Sequence, residues 1–233
     1  MSELVIVALD FESSREALAL VTELGAAARS YKVGLQLLTE AGPELVRELV
    51  SSGKQVFLDL KLHEIPNSVA GAVTAAGKLG VSMVSVHASA GSAVLRAAVE
   101  AALPFPGLKI VALTVITSLC DKDLQEIGLE PSVQAQVLRL AHLAADCGCH
   151  GVVASAQEAE VLRGVLPSDM LVLTPGVQLK SASSSSSSDQ ARTADPRAAA
   201  LAGATHIVVG RAITKALDPR RAFAEAVAQF THD

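Results

Sequence analysis

Residues 55–80 read QVFLDLKLHEIPNSVAGAVTAAGKLG. The opening six, Gln55–Leu60, are a short, mostly apolar run that predicts a strand. The run leads into a charged group, Asp59-Leu60-Lys61-Leu62-His63-Glu64. Pro66–Lys78 then has helical composition, with Pro at its start and Leu79-Gly80 at its end, the usual asymmetry of helix termini. Strand, charged turn and helix together make one βα unit. Its apolar run does not alternate with polar residues, which suits a strand buried on both faces of a parallel sheet.

The same unit recurs along the chain. Comparable runs lie at Leu4–Leu9, Ser30–Gly34, Met83–His87, Lys109–Val115, Gly151–Ala154, Met170–Thr174 and His206–Gly210. Helical stretches follow at Ala17–Ala28, Glu44–Ser51, Gly91–Leu103, Ser132–Cys147, Gln157–Val165, Asp195–Ala202 and Pro219–Phe230. Ser13, with Glu16 three residues on, has the spacing of a capping box for the first helix. Eight strands alternating with eight helices predict an α/β fold, a (β/α)8 TIM barrel, as a single domain over residues 1–233. The competing architecture is a doubly wound open sheet. It usually has five or six strands, and no G-x-G-x-x-G follows the first strand here.

Composition supports a packed domain and excludes several functions. Half of the 233 residues are hydrophobic and 18% are charged, too apolar for a disordered chain. Mean hydropathy is +0.41, yet no 18-residue stretch is free of charges and turn formers, so no membrane-spanning helix is expected. The start, MSELVIVALD, lacks the basic segment of a secretory signal. Net charge is −5, Lys and Arg are scattered, and aromatics are 3%, which argues against a nucleic-acid surface. Cys120, Cys147 and Cys149 are an odd number of cysteines and read as free thiols in a reducing, cytoplasmic compartment. Cys147-Gly148-Cys149-His150 is too compact for a zinc site without a second ligand cluster; no metal is expected there.

One segment departs from the pattern. Residues 179–193, LKSASSSSSSDQART, contain six consecutive serines, Ser183–Ser188, and cannot pack a core. Two readings stand: a tolerated flexible surface insertion, or a mobile lid over a site.

In barrels the reactive groups sit at the C-terminal ends of strands. Those positions hold Asp10, Lys32, Asp59 with Lys61 through Glu64, His87, Thr117-Ser118, Thr174-Pro175-Gly176 and Gly210-Arg211. Asp59 and Lys61, two apart on a strand, point to the same side. Buried charges are costly unless paired, and alternating charges stabilise one another. A structural salt-bridge network could account for one pair, but poorly for two Lys and two Asp at separate strand positions. Gly210-Arg211 after the eighth strand suits a phosphate, with a close backbone N–H and a guanidinium fork. The Ser-rich segment after strand seven would lie over the same place. His63 and His87 are near the mouth without an evident acid–base task. Cys120 lacks a His/Asp partner and reads as a packed thiol.

These residues carry a family resemblance. VALD (Val7–Asp10), YKVG (Tyr31–Gly34), FLDLKLHEIPNSV (Phe57–Val69), SVHA (Ser85–Ala88), ITS (Ile116–Ser118), TPGV (Thr174–Val177), Asp189-Gln190 and VVGRAI (Val208–Ile213) occur in order. The chain resembles the bacterial orotidine 5′-phosphate decarboxylases, and the D-x-K-x-x-[acid]-I-P-N-[S/T] block is the specific part. The resemblance implies a cofactor-free, metal-free (β/α)8 enzyme converting orotidine 5′-phosphate to UMP and CO2 in pyrimidine synthesis. It implies a homodimer in which Glu64, Ile65 and Ser68 reach the neighbouring site. Lys61 would protonate C6, Asp59 would face the substrate carboxylate, and Lys32 would bond to Asp59 and the ribose. Asp10 would bind the ribose, and Thr117 and Ser118 would meet the pyrimidine edge. Gln190 would reach both phosphate and base, and Gly210 and Arg211 would grip the phosphate.

Two positions depart from the family pattern. Glu64 stands where Asp is usual, carrying the charge about 1.5 Å further on one more methylene. Gln178 stands where many bacterial members have Arg, leaving more of the phosphate charge to Arg211, with Lys180 as a substitute. Two other functions remain open. One is a metal-dependent sugar-phosphate decarboxylase or isomerase with Asp59 and Glu64 on Mg2+. The other is a nucleotide-binding barrel that has lost turnover through Glu64.

Overall fold

The computed structural model describes residues 2–179 and 193–231. Eight strands close into a parallel barrel in sequence order: β1 (Val5–Ala8), β2 (Ser30–Gly34), β3 (Gln55–Leu62), β4 (Met83–His87), β5 (Lys109–Leu113), β6 (Gly151–Val153), β7 (Leu171–Thr174) and β8 (His206–Val209). Closure is made by β1 on β8, with Val5, Ile6 and Val7 registered on Ile207, Val208 and Val209. This answers the choice between barrel and open sheet.

Successive strand residues serve two different cores. Ile6, Phe57, Met83, Val111, Val153 and Leu173 fill the barrel interior. Val5, Val7, Val56, Leu58, Val84 and Ile110 face outward into the layer under the helices. Both faces are therefore apolar, which is why the strands read as continuous rather than alternating runs.

The described residues include ten α-helices: α1 (Ser14–Leu24), α2 (Leu35–Ser51), α3 (Pro66–Leu79), α4 (Ser92–Ala102), α5 (Asp121–Glu126), α6 (Val133–Asp146), α7 (Ala156–Val165), α8 (Pro196–Leu201), α9 (Arg211–Thr214) and α10 (Pro219–Thr231). Ser13 caps α1 by accepting the Glu16 N–H at 3.3 Å. The reciprocal half of the expected box differs: Ser13 Oγ itself donates to Glu16 Oε2 at 2.8 Å.

Three helical segments exceed the sequence expectation. α2 is two helical pieces meeting at a kink: Gly42 (φ 67°, ψ −174°) is non-helical, Pro43 opens the piece that holds the expected Glu44–Ser51, and the piece from Leu35 before the kink is the unexpected one. α5 and α9 are six and four residues long, too short to show an apolar period. The β3 strand also runs two residues past Leu60, so Lys61 lies on the strand itself. Leu179, at the edge of the Ser-rich segment, is buried in the outer core, contrary to the expectation that none of that segment packs. No described helix is long and apolar enough to cross a membrane.

Candidate active site

β1, β2 and β3 bring four charges into one row across the C-terminal rim. Lys32 Nζ lies 2.9 Å from Asp10 Oδ1 and 3.7 Å from Asp59 Oδ2. Lys61 Nζ lies 2.8 Å from the same Asp59 Oδ2. The order Asp10–Lys32–Asp59–Lys61 thus alternates in sign, with Asp59 shared between two ammonium groups. The middle of the row is covered, with the Lys32 and Asp59 side chains 12% and 13% exposed. Lys61 at its end is 36% exposed and opens toward the mouth.

The strand register explains the convergence. Parallel pairing sets Lys32 opposite Phe57 and Gly34 opposite Asp59. Inward positions on adjacent strands therefore stack one charge against the next. Between Leu58 and Leu62 the ladder from β3 to β4 is irregular, and Lys61 adopts φ 48°. That left-handed backbone is uncommon for a residue with a Cβ.

A fifth member escaped the sequence reading. Ser85 of β4 is fully buried, and its Oγ donates to Asp59 Oδ1 at 2.9 Å. The same oxygen accepts the Lys61 backbone N–H at 2.8 Å. The sequence signals were its place at the head of the SVHA stretch, where it was given no role, and its hydroxyl inside the run MVSVH, two residues before His87 and so on the same strand face.

The other expected residues fall into groups. Gly210 closes the row from β8: a Cβ there would stand 3.9 Å from Asp10 Oδ2. Arg211 follows as the first, exposed residue of α9. Thr117 and Ser118 lie in the loop beyond Leu113 rather than on β5; Thr117 is buried and Ser118 exposed. Gln178 is exposed, and its backbone N–H donates to Ala194 O at 2.9 Å, tying together the two ends of the Ser-rich segment. Lys180, Ser183–Ser188, Asp189 and Gln190 lie outside the described residues, as does the reading of that segment as a lid.

Glu64, Ile65 and Ser68 form an exposed patch at the start of α3. Within the chain, Glu64 does not join the charged row. Its Oε1 accepts the Ile65 N–H at 3.0 Å. That amide, and after it the Ser68 hydroxyl, holds the Glu64 carboxyl below its ordinary range. His63 and His87 rings stand 5.3 Å apart at the mouth. Burial, then the charges of His63 and Lys61, lowers the His87 pKa, and His87 Nδ1 is engaged by the Ser89 hydroxyl at 2.6 Å.

Cys147 and Cys149 lie in the turn from α6 to β6, apart from this rim, whereas Cys120 is the N-cap of α5, two residues beyond Ser118. Burial pushes the Cys149 thiol up to about 12, far from a reactive thiolate. His150 uses Nδ1 to accept the Ile110 N–H at 3.1 Å. Two clefts, a groove of about 280 Å³ between α6 and α7 and one of about 380 Å³ beside Lys109 and His150, hold none of the row's residues.

Comparison with known proteins bears on what this row does. Residues 3–226 match the profile of the orotidine 5′-phosphate decarboxylase / HUMPS family. The chain is 45% identical over 223 residues to an orotidine 5′-phosphate decarboxylase of Idiomarina loihiensis, covering 95% of each chain. It is 46% identical over 216 residues to one from Chromobacterium violaceum, covering 92% of this chain and 86% of that one. The crystal structure of orotidine 5′-phosphate decarboxylase from Lactobacillus acidophilus superposes with a TM-score of 0.87 at 33% identity, covering 99% of this chain and 100% of the other.

Proposed function

The chain belongs to the orotidine 5′-phosphate decarboxylase / HUMPS family, and from that premise we infer that it decarboxylates orotidine 5′-phosphate to UMP and CO2 in pyrimidine biosynthesis. The observation that carries the reading is the alternating row Asp10–Lys32–Asp59–Lys61, with Lys61 at its open end.

Loss of CO2 from C6 leaves an electron pair in the plane of the pyrimidine, where the ring π system cannot absorb it. An ammonium fixed at that atom stabilises the developing charge and then supplies the proton. Lys61 has this role: its Nζ is held by Asp59 and faces the mouth. Asp59 stands beside the substrate carboxylate, whose negative charge departs as CO2 leaves. Lys32 spans Asp59 and Asp10, so it fixes both the reacting end and the ribose end of the site. Asp10 takes the ribose hydroxyls, and Thr117 and Ser118 meet the pyrimidine edge.

Gly210 and Arg211 grip the phosphate, with Gln178 and Gln190 on the same side. Phosphate binding away from C6 supplies binding energy that positions the reacting centre. Glu64, Ile65 and Ser68 act across a homodimer interface, a role supported by their exposure together at the start of α3. The enzyme works in the cytoplasm as one barrel domain.

The metal-dependent alternative needs Asp59 and Glu64 on one ion. Asp59 is instead engaged by two ammonium groups and Ser85, and Glu64 by the Ile65 amide and Ser68. The decisive experiment incubates the purified protein with orotidine 5′-phosphate and follows loss of the orotate absorbance, with and without EDTA. Turnover that survives EDTA is expected. No turnover at high enzyme concentration overturns the reading. UMP binding without turnover would point to the inert nucleotide-binding barrel.

A further inference from the structure

We propose that Ser85 is a positioning residue for this decarboxylation, fixing through one hydroxyl both the Asp59 carboxylate and the backbone from which Lys61 projects. The proposal rests on the decarboxylase reading above. Ser85 is fully buried, so it acts through its two neighbours rather than on substrate.

The two carboxylate oxygens of Asp59 are divided in their tasks. Oδ2 meets Lys61 at 2.8 Å and Lys32 at 3.7 Å. Oδ1 accepts the Ser85 hydroxyl at 2.9 Å. A carboxylate held at one oxygen cannot rotate freely about its last torsion, so the other stays aimed at both ammonium groups.

The second half concerns the main chain. β3 places Leu58 opposite Val84 and Leu62 opposite Val86, so four steps on β3 span two on β4. Ser85 is the residue between those partners, and it faces the irregular stretch. There the Lys61 N–H goes to the Ser85 Oγ at 2.8 Å. Lys61 is the one non-glycine residue at positive φ among those described. Such a conformation persists only where its surroundings over-determine it. A hydroxyl supplies one donor and accepting lone pairs, and Ser85 uses both functions on the two residues nearest the chemistry.

The test compares wild type, Ser85→Ala and Ser85→Cys for turnover of orotidine 5′-phosphate, UMP affinity by calorimetry, and hydrogen exchange at the Lys61 amide. Ser85→Ala is expected to lower kcat about 100-fold, the scale of a small misplacement of reacting groups. UMP affinity should stay within about threefold, separating loss of positioning from loss of binding. The Lys61 amide should exchange faster, and Ser85→Cys, of similar size with a weaker donor and acceptor, should fall between. Unchanged kcat in Ser85→Ala, or equal losses in kcat and UMP affinity, would overturn the proposal. If Ser85→Ala does not fold, Ser85→Cys is read by the same criteria. If wild type itself shows no turnover, the decarboxylase reading fails separately. The Ser85 assignment then stands or falls on Lys61 amide exchange, with unchanged protection overturning it.

Discussion

The Cβ that Gly34 lacks would lie 3.1 Å from the Nζ of Lys32. Gly34 is registered opposite Asp59, so the space left open is the space in which the central ammonium meets its two carboxylates. The backbone there (φ −94°, ψ −178°) is open to any residue, so the glycine serves room rather than conformation. Gly34→Ala should therefore fold normally yet displace Lys32. Turnover is expected to fall about tenfold, as for sub-ångström misplacement of a catalytic group. Kinetics alongside a thermal melt would check this; wild-type turnover would show that Lys32 has slack.

Lys61→Ala removes the group assigned to stabilise and protonate C6. It should retain the melting profile of the wild type, since Lys61 is at the open end of the row. Activity should drop by about 1000-fold or more, the upper range for losing one preorganised donor. An active variant would refute the assignment.

Glu64 is turned toward its own helix start and away from the row. If it serves the neighbouring subunit, two inactive variants should complement each other. A mixture of Lys61→Ala and Glu64→Gln, unfolded and refolded together, contains mixed dimers with one complete site each. About a quarter of wild-type activity should return, since half of randomly paired dimers are mixed and each has one site of two. Mixed dimers without regained activity would place Glu64 in its own subunit's site, and wild-type activity of Glu64→Gln alone would place it outside the chemistry.

Burial, and after it the Lys109 charge, pushes the His206 imidazole down to about 4. The folded protein keeps this ring neutral, while the unfolded chain protonates it near pH 6.5. Between those values the unfolded state binds more protons, so stability falls as pH drops from about 6.5 to 4. The window is worth on the order of 3 kcal/mol. Melting curves at several pH values should show His206→Gln with a shallower acid decline than wild type. His87 and His150 are lowered in the same direction, so the difference between proteins isolates His206. Parallel declines would remove His206 as a source.

The strands were the most legible part of the fold. β2 and β4 have the bounds that their apolar runs predict, because both faces of each strand are largely buried. Short pieces were not legible. α5 buries Leu124 alone, and α9 buries Ile213 alone, so neither leaves an amphipathic period to read. Gly42-Pro43 does open a helical piece, the one holding Glu44–Ser51; what was not legible is the piece from Leu35 that precedes the kink.

The sequence by itself determined a parallel sheet buried on both faces by helices and favoured a barrel, since eight apolar runs alternate with helices; the pairing of β1 with β8 closed it. It also determined which charges reach the rim, because strand-end position and the two-residue side-chain period follow from covalent geometry. Only the tertiary structure decided who holds whom. That Asp59 is shared by Lys32 and Lys61, that Ser85 joins Asp59 to the Lys61 backbone, and that Glu64 faces its own helix depend on register between strands and on one irregular step in β3. The Ser85–Asp59 contact joins residues 26 positions apart, and Lys32 and Asp59 are as distant, so no local pattern encodes them.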